Sequence, residues 1–163
     1  MNVDEIVSWF GEKRTPRLAE SDVITLLSSA HPRIVFLKTL PFGTELLDLG
    51  ADGGLEVHRR WPAPERTDLR IYAYASSKGA KFDAYDGFEV GTWDTAPPDF
   101  GGRSFGAVVS SHFIDKIKDP GPLIEWLARR VAPGGRVYLE WPSPFAILLP
   151  PNREFAARGI GLM

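Results

Sequence analysis

Residues 45–55 read ELLDLGADGGL, an apolar run that stops at a cluster of glycines. Leu46, Leu47 and Leu49, interrupted only by Asp48, have the composition of a short strand buried on both faces, as strands of a parallel sheet are. Gly50, Gly53 and Gly54 let the backbone turn sharply and approach a ligand. A helix starting near Gly54 would aim unsatisfied N–H groups into the same crevice. Strand, glycine turn and helix in this order form the ligand-binding corner of open α/β sheets.

Upstream of this corner the pattern is helical. Val3, Ile6, Val7 and Phe10 share one face, with Gly11 as a stop, and a basic connector containing Pro16 follows. A second helix is expected from the cap-like Ser21, carrying Val23, Ile24, Leu26 and Leu27 on its apolar side. Residues 33–40, RIVFLKTL, fit a strand by their β-branched content or a helix by the spacing of Ile34, Leu37 and Leu40. Helix is preferred, because a strand must follow closely.

Downstream, helix is expected over residues 54–60, strand over 69–75 (LRIYAYA), a short helix within 76–86, and a weaker strand over 87–94 (GFEVGTWD). The prolines and glycines of 96–104 mark a loop. A fourth strand is expected over 105–110 (FGAVVS). A helix follows over 122–131, with Pro122 in its first turn and Leu123, Ile124, Leu127 and Val131 as its buried stripe. After a Pro-Gly-Gly turn comes a fifth strand over 136–141, and no sheet element is evident beyond Pro142. Alternating strands and helices, at about thirty residues per unit, predict an α/β fold with a doubly wound, mostly parallel sheet and right-handed crossovers. A single domain is expected over 1–163: a helical cap (1–43), a Rossmann-like core (44–141) and a tail (142–163).

Composition agrees with one ordinary globular domain. The 163 residues are 44% hydrophobic and 25% charged with a formal charge of -2, so neither a nucleic-acid nor a membrane partner is expected. Cysteine is absent, which excludes disulfides and thiolate metal sites. His31, His58 and His112 lie far apart without ligand-like spacing, so no metal site is expected. The N-terminus, MNVDEIVSWFGEKR, has acids before its basic residues and no long apolar stretch, unlike a signal peptide or spanning helix. A cytoplasmic setting is the corresponding expectation.

The glycine-rich run resembles motif I of the class I S-adenosylmethionine-dependent methyltransferases (type 11-like): Asp48, Gly50, Ala51 and Gly54 match, while Asp52 stands where that motif has a glycine. A second stretch, FGAVVSSHFIDKIKDPGPLIEWLARRVAPGGRVYLEWPSP, is similar to the same family at Phe105, Val108, His112, Asp119, Pro120, Pro133, Gly134 and Gly135. Two further positions depart from it. Ala75 occupies the end of the second strand, where the family has an acid for the ribose hydroxyls, and Gly106 replaces an Asp. Asp94 matches the acid that commonly holds the adenine amino group.

The resemblance implies S-adenosylmethionine as cofactor, bound by Asp48, Gly50, Ala51, Asp52, Gly54, Ala75, Asp94 and Ser110. The implied activity is methyl transfer to a small-molecule or carbohydrate-like acceptor. With only about twenty residues after the fifth strand, the sheet is expected to lack the family's last strands, the chain being a fragment or the sheet short. Self-association is expected through the tail or the exposed sheet edge. Ser110, Ser111 and His112 lie where an acceptor would approach, and His112 is the candidate general base by its ordinary pKa range. Asp115 is expected to support that loop, and Trp93, Trp126 and Trp141 to line core or cleft. The other readings are a catalytically inactive binding or scaffolding domain, motivated by Asp52 and Ala75, and a nicotinamide-dependent enzyme. The latter is the weaker, since Gly50 to Gly54 does not spell G-x-G-x-x-G.

Overall fold

The computed structural model describes residues 25, 29–51, 55–79, 82–111 and 113–141, with no side-chain description at Glu56 and Asp115. The two helices read upstream of residue 28 and the tail read beyond Pro142 lie almost wholly outside these residues. Five strands form one sheet: β1 (Glu45–Leu49), β2 (Arg70–Ala75), β3 (Gly87–Val90), β4 (Phe105–Ser111) and β5 (Val131–Glu140). Their order is β3-β2-β1-β4-β5, and every neighbouring pair is parallel. The topological switch therefore falls at β1, with β2 and β4 on either side.

The two-residue period of the strands sorts the core into two halves. Leu46, Ile71, Ala73, Ala75, Ala107 and Val109 face helix α1 (Pro32–Lys38) and helix α2 (Leu55–Arg59), joined there by Phe82 and Tyr85. Leu47, Leu49, Tyr72, Tyr74, Phe105 and Val108 face helix α3 (Gly121–Arg130) through Leu123, Trp126 and Leu127. The sheet is thus covered on both sides, which explains why β1 reads as a nearly unbroken apolar run.

The ambiguous RIVFLKTL segment is the helix α1. His31 caps it by accepting the Arg33 N–H at Nδ1 (3.2 Å), Pro32 occupies the first turn, and Ile34 and Leu37 bury its inner face. Its C-terminal end is held by Arg66, which donates to the carbonyls of Leu37, Leu40 and Pro41 while pairing with Asp68 at 2.8 Å.

Three boundaries and the exposure of two side chains differ from the sequence reading. β3 ends at Val90, because Thr92 starts a turn closed by Ala96 N–H to Thr92 O at 2.8 Å. β5 begins at Val131, with the Pro-Gly-Gly turn folded into it as an irregularity between the Phe105–Val131 and Ala107–Arg136 pairs. α3 ends at Arg130, and Ile124 is 51% exposed while Trp126 is buried: the helical stripe runs through 123, 126 and 127, and Ile124 falls outside it. Trp141, expected in core or cleft, is 54% exposed at the end of the edge strand. Gly106 packs: a Cβ there would stand 3.1 Å from Thr44 Cγ2.

Candidate functional site

β1 breaks at Gly50, whose φ of +86° is left-handed. A Cβ at this position would lie 2.7 Å from Phe113 Cβ, so backbone conformation and packing both require glycine. The Gly50 and Ala51 N–H groups both donate to Tyr74 O, at 2.8 and 2.9 Å. These two amides extend the sheet and are not directed at a ligand, unlike the cradle of amides expected of the turn. Asp52, Gly53 and Gly54, the remainder of that turn, lie outside the described residues.

Over the C-terminal ends of β1, β2 and β3 opens a crevice of about 360 Å³. Gly50 and Ala51 form its floor at β1, Ala75, Ser76 and Ser77 its wall at β2, and Thr92, Trp93 and Asp94 its wall beyond β3. Phe113, Lys116 and Ile117 complete it from the segment after β4. The Trp93 turn is fixed from below: Tyr74 Oη donates to Ala96 O at 2.8 Å, and the Trp93 ring stands edge-on to Tyr74, Phe113 and Trp126. Burial, with Glu89 adding to it, pushes the Tyr74 hydroxyl up to about 12, so it remains a donor across the physiological range.

Of the residues the sequence nominated, the crevice brings together Gly50, Ala51, Ala75 and Asp94. It does not include Asp48 or Ser110. Asp48 is buried within β1 on its α2 side, with its Oδ2 3.0 Å from His58 Nε2 and accepting from Tyr85 Oη at 3.1 Å. This cluster ties β1 to α2 and to the segment before β3. Ser110 is buried within β4, and its neighbour Ser111 accepts from Arg33, which also pairs with Glu140 at 3.0 Å. His112 and the Asp115 side chain lie outside the described residues. No group of three or more potential metal ligands occurs among the described residues.

Trp93, expected in core or cleft, is a crevice wall; sequence reasoning missed Ser76, Ser77 and Phe113 as walls, and His58 as the partner of Asp48. The serines had no motif to mark them. The Asp48–His58 pairing does follow from placing Asp48 on the α2 side of β1 and His58 on the inner face of α2.

No family model and no curated protein matches the chain. Among solved structures, the chain is similar to coclaurine N-methyltransferase bound to N-methylheliamine and S-adenosylhomocysteine, with a TM-score of 0.54 at 13% identity over 77% of this chain and 38% of that one. It also aligns with a methyltransferase from Thiobacillus denitrificans in complex with S-adenosylhomocysteine (TM-score 0.47, 14% identity, 99% and 71% covered). A third is one from Geobacter sulfurreducens with the same ligand (0.44, 18%, 85% and 55%). The chain spans 38% of the coclaurine enzyme's length. At such identity the likeness is one of architecture: the fold is the Rossmann-like fold of class I S-adenosylmethionine-dependent methyltransferases.

Proposed function

We propose that the crevice binds the adenosyl part of S-adenosylmethionine and that the protein transfers its methyl group to a small-molecule or carbohydrate-like acceptor. The observation that carries this reading is the crevice itself, set beside the switch point of a parallel sheet, where such sheets bind nucleotides. Its chemistry fits the ligand: apolar and aromatic walls at Ala51, Trp93 and Phe113 for a flat base, and the Asp94 carboxylate to accept from an amino group. Its volume lies within the usual range for small-molecule sites.

S-adenosylmethionine brings an electrophilic sulfonium, so the chain need only hold donor and acceptor in line and exclude water. Asp94 and Trp93 would orient the adenosine, and Gly50 and Ala51 leave room beside β1 for the rest of the ligand. Calorimetric titration with S-adenosylmethionine and S-adenosylhomocysteine tests the reading. Saturable binding is expected, and no heat at millimolar ligand contradicts it.

Two observations favour a second reading, a binding domain without catalysis. The described turn amides are already bonded to Tyr74, and β2 ends in Ala75 rather than an acid. Binding of both ligands without methyl transfer to any acceptor panel would select it. The setting is proposed to be cytoplasmic; no helix among the described residues is long and apolar enough to cross a membrane. Copies are proposed to associate through the β5 edge, where Val137 is 39% exposed beside Trp141.

A further inference from the structure

We propose that Ser76 and Ser77 receive the ribose hydroxyls of the adenosyl ligand, in place of the carboxylate that Ala75 cannot supply. This rests on the adenosyl reading of the crevice and names the residues that would discriminate ribose within it. β2 ends at Ala75, whose carbonyl accepts the Gly91 N–H at 3.0 Å and so clamps the ends of β2 and β3 together. The Ala75 side chain is buried at the crevice wall and offers only a methyl group. The next two side chains, Ser76 and Ser77, are exposed and line the same crevice, facing the turn that carries Thr92, Trp93 and Asp94. Neither hydroxyl has a hydrogen-bond partner among the described residues, so both are available to a ligand.

The chemistry differs from that of an acid. A carboxylate only accepts, whereas a serine hydroxyl both donates and accepts, so each can pair with a ribose alcohol in either sense. The described residues at the ribose end, Ala75, Ser76 and Ser77, carry no charge, and Asp94 is the one carboxylate among the described lining residues of the crevice. Neutral hydrogen bonds are weaker than charged ones, so two hydroxyls together should contribute about tenfold in affinity.

The test is calorimetry on the full chain with adenosine, 2′,3′-dideoxyadenosine and S-adenosylhomocysteine. The wild type is expected to bind adenosine about tenfold more tightly than the dideoxy compound. In the variant carrying Ser76→Ala and Ser77→Ala that preference should fall to about twofold or less, and adding Ala75→Asp should restore it. Thermal denaturation establishes that the variants, altered at exposed positions, remain folded. A preference for adenosine that survives in the double serine variant overturns the inference, as does failure of the wild type to bind adenosine. Serine-dependent adenosine binding without S-adenosylhomocysteine binding sustains the ribose site and removes the methyl-donor reading. S-adenosylhomocysteine binding with a serine-independent ribose preference does the reverse.

Discussion

At Gly50, a methyl group added to the backbone would meet Phe113 at 2.7 Å while forcing a side chain into the left-handed region. Strain of about 1–2 kcal/mol and overpacking of about 1–3 kcal/mol act together there. Gly50→Ala is therefore expected to destabilise by about 2–4 kcal/mol in urea denaturation, and a loss under about 1 kcal/mol would contradict the packing seen. The Asp48–His58–Tyr85 cluster gives a second expectation. His58 is 1% exposed, and His58→Leu would leave the Asp48 carboxylate buried with Tyr85 as its remaining described partner. A cost of about 3 kcal/mol is expected, partly recovered when Asp48→Leu is added. Equal stability of the single variant and the wild type would show that the pair carries no net interaction. The sequence displayed Asp48 as a ligand-side acid. Its actual direction follows from the strand period, which puts Leu47 and Leu49 on the α3 side and Asp48 with Leu46 on the other.

Among the elements, α1 depends on a contact remote in sequence. Arg66 joins three carbonyls at the end of that helix to Asp68, which also accepts the Gly43 N–H at 2.9 Å. The Arg66 side chain holds the Asp68 carboxyl down at about 2, against burial, which acts the other way, with the Gly43 N–H assisting. Because the folded value lies below the ordinary 3.8, the stabilisation is complete above that pH and is lost as pH falls toward 2. The stability difference between wild type and Asp68→Asn should accordingly shrink between pH 4 and pH 2, read by urea denaturation at each pH, and a difference independent of pH would refute the linkage. Local pattern sufficed for β1, β2, β4 and α3, from apolar period and, for α3, from Pro122 in its first turn, whereas α1 was ambiguous by pattern and was read as helix only because β1 follows so closely. The end of β3 was not legible, because GFEVGTWD has strand-like residues throughout, and the Thr92 turn depends on the Tyr74 hydroxyl from a different strand. Arg66 was invisible for the same reason, its acceptors being carbonyls of another segment.

For the molecule as a whole, the order β3-β2-β1-β4-β5 leaves β5 at one edge with Val137 and Trp141 exposed. Sedimentation of the full chain is expected to show concentration-dependent dimerisation that Val137→Lys abolishes; a monomer at all concentrations would contradict association through this edge. The parallel sheet and the position of its crevice were readable from the spacing of strands, helices and glycine turn. Trp93 was expected in core or cleft, but Ser76 and Phe113 were not legible as crevice walls, since they come from separate loops that only the assembled sheet brings together with the Trp93 turn. That convergence is the basis of the functional reading, and hydrogen exchange of the full chain with and without saturating S-adenosylhomocysteine tests it most directly. Slowed exchange concentrated in residues 50–51, 75–79 and 91–94 is the expected result. Protection confined to other segments, or none at a ligand concentration that saturates binding, would contradict an adenosyl site at the ends of β1, β2 and β3.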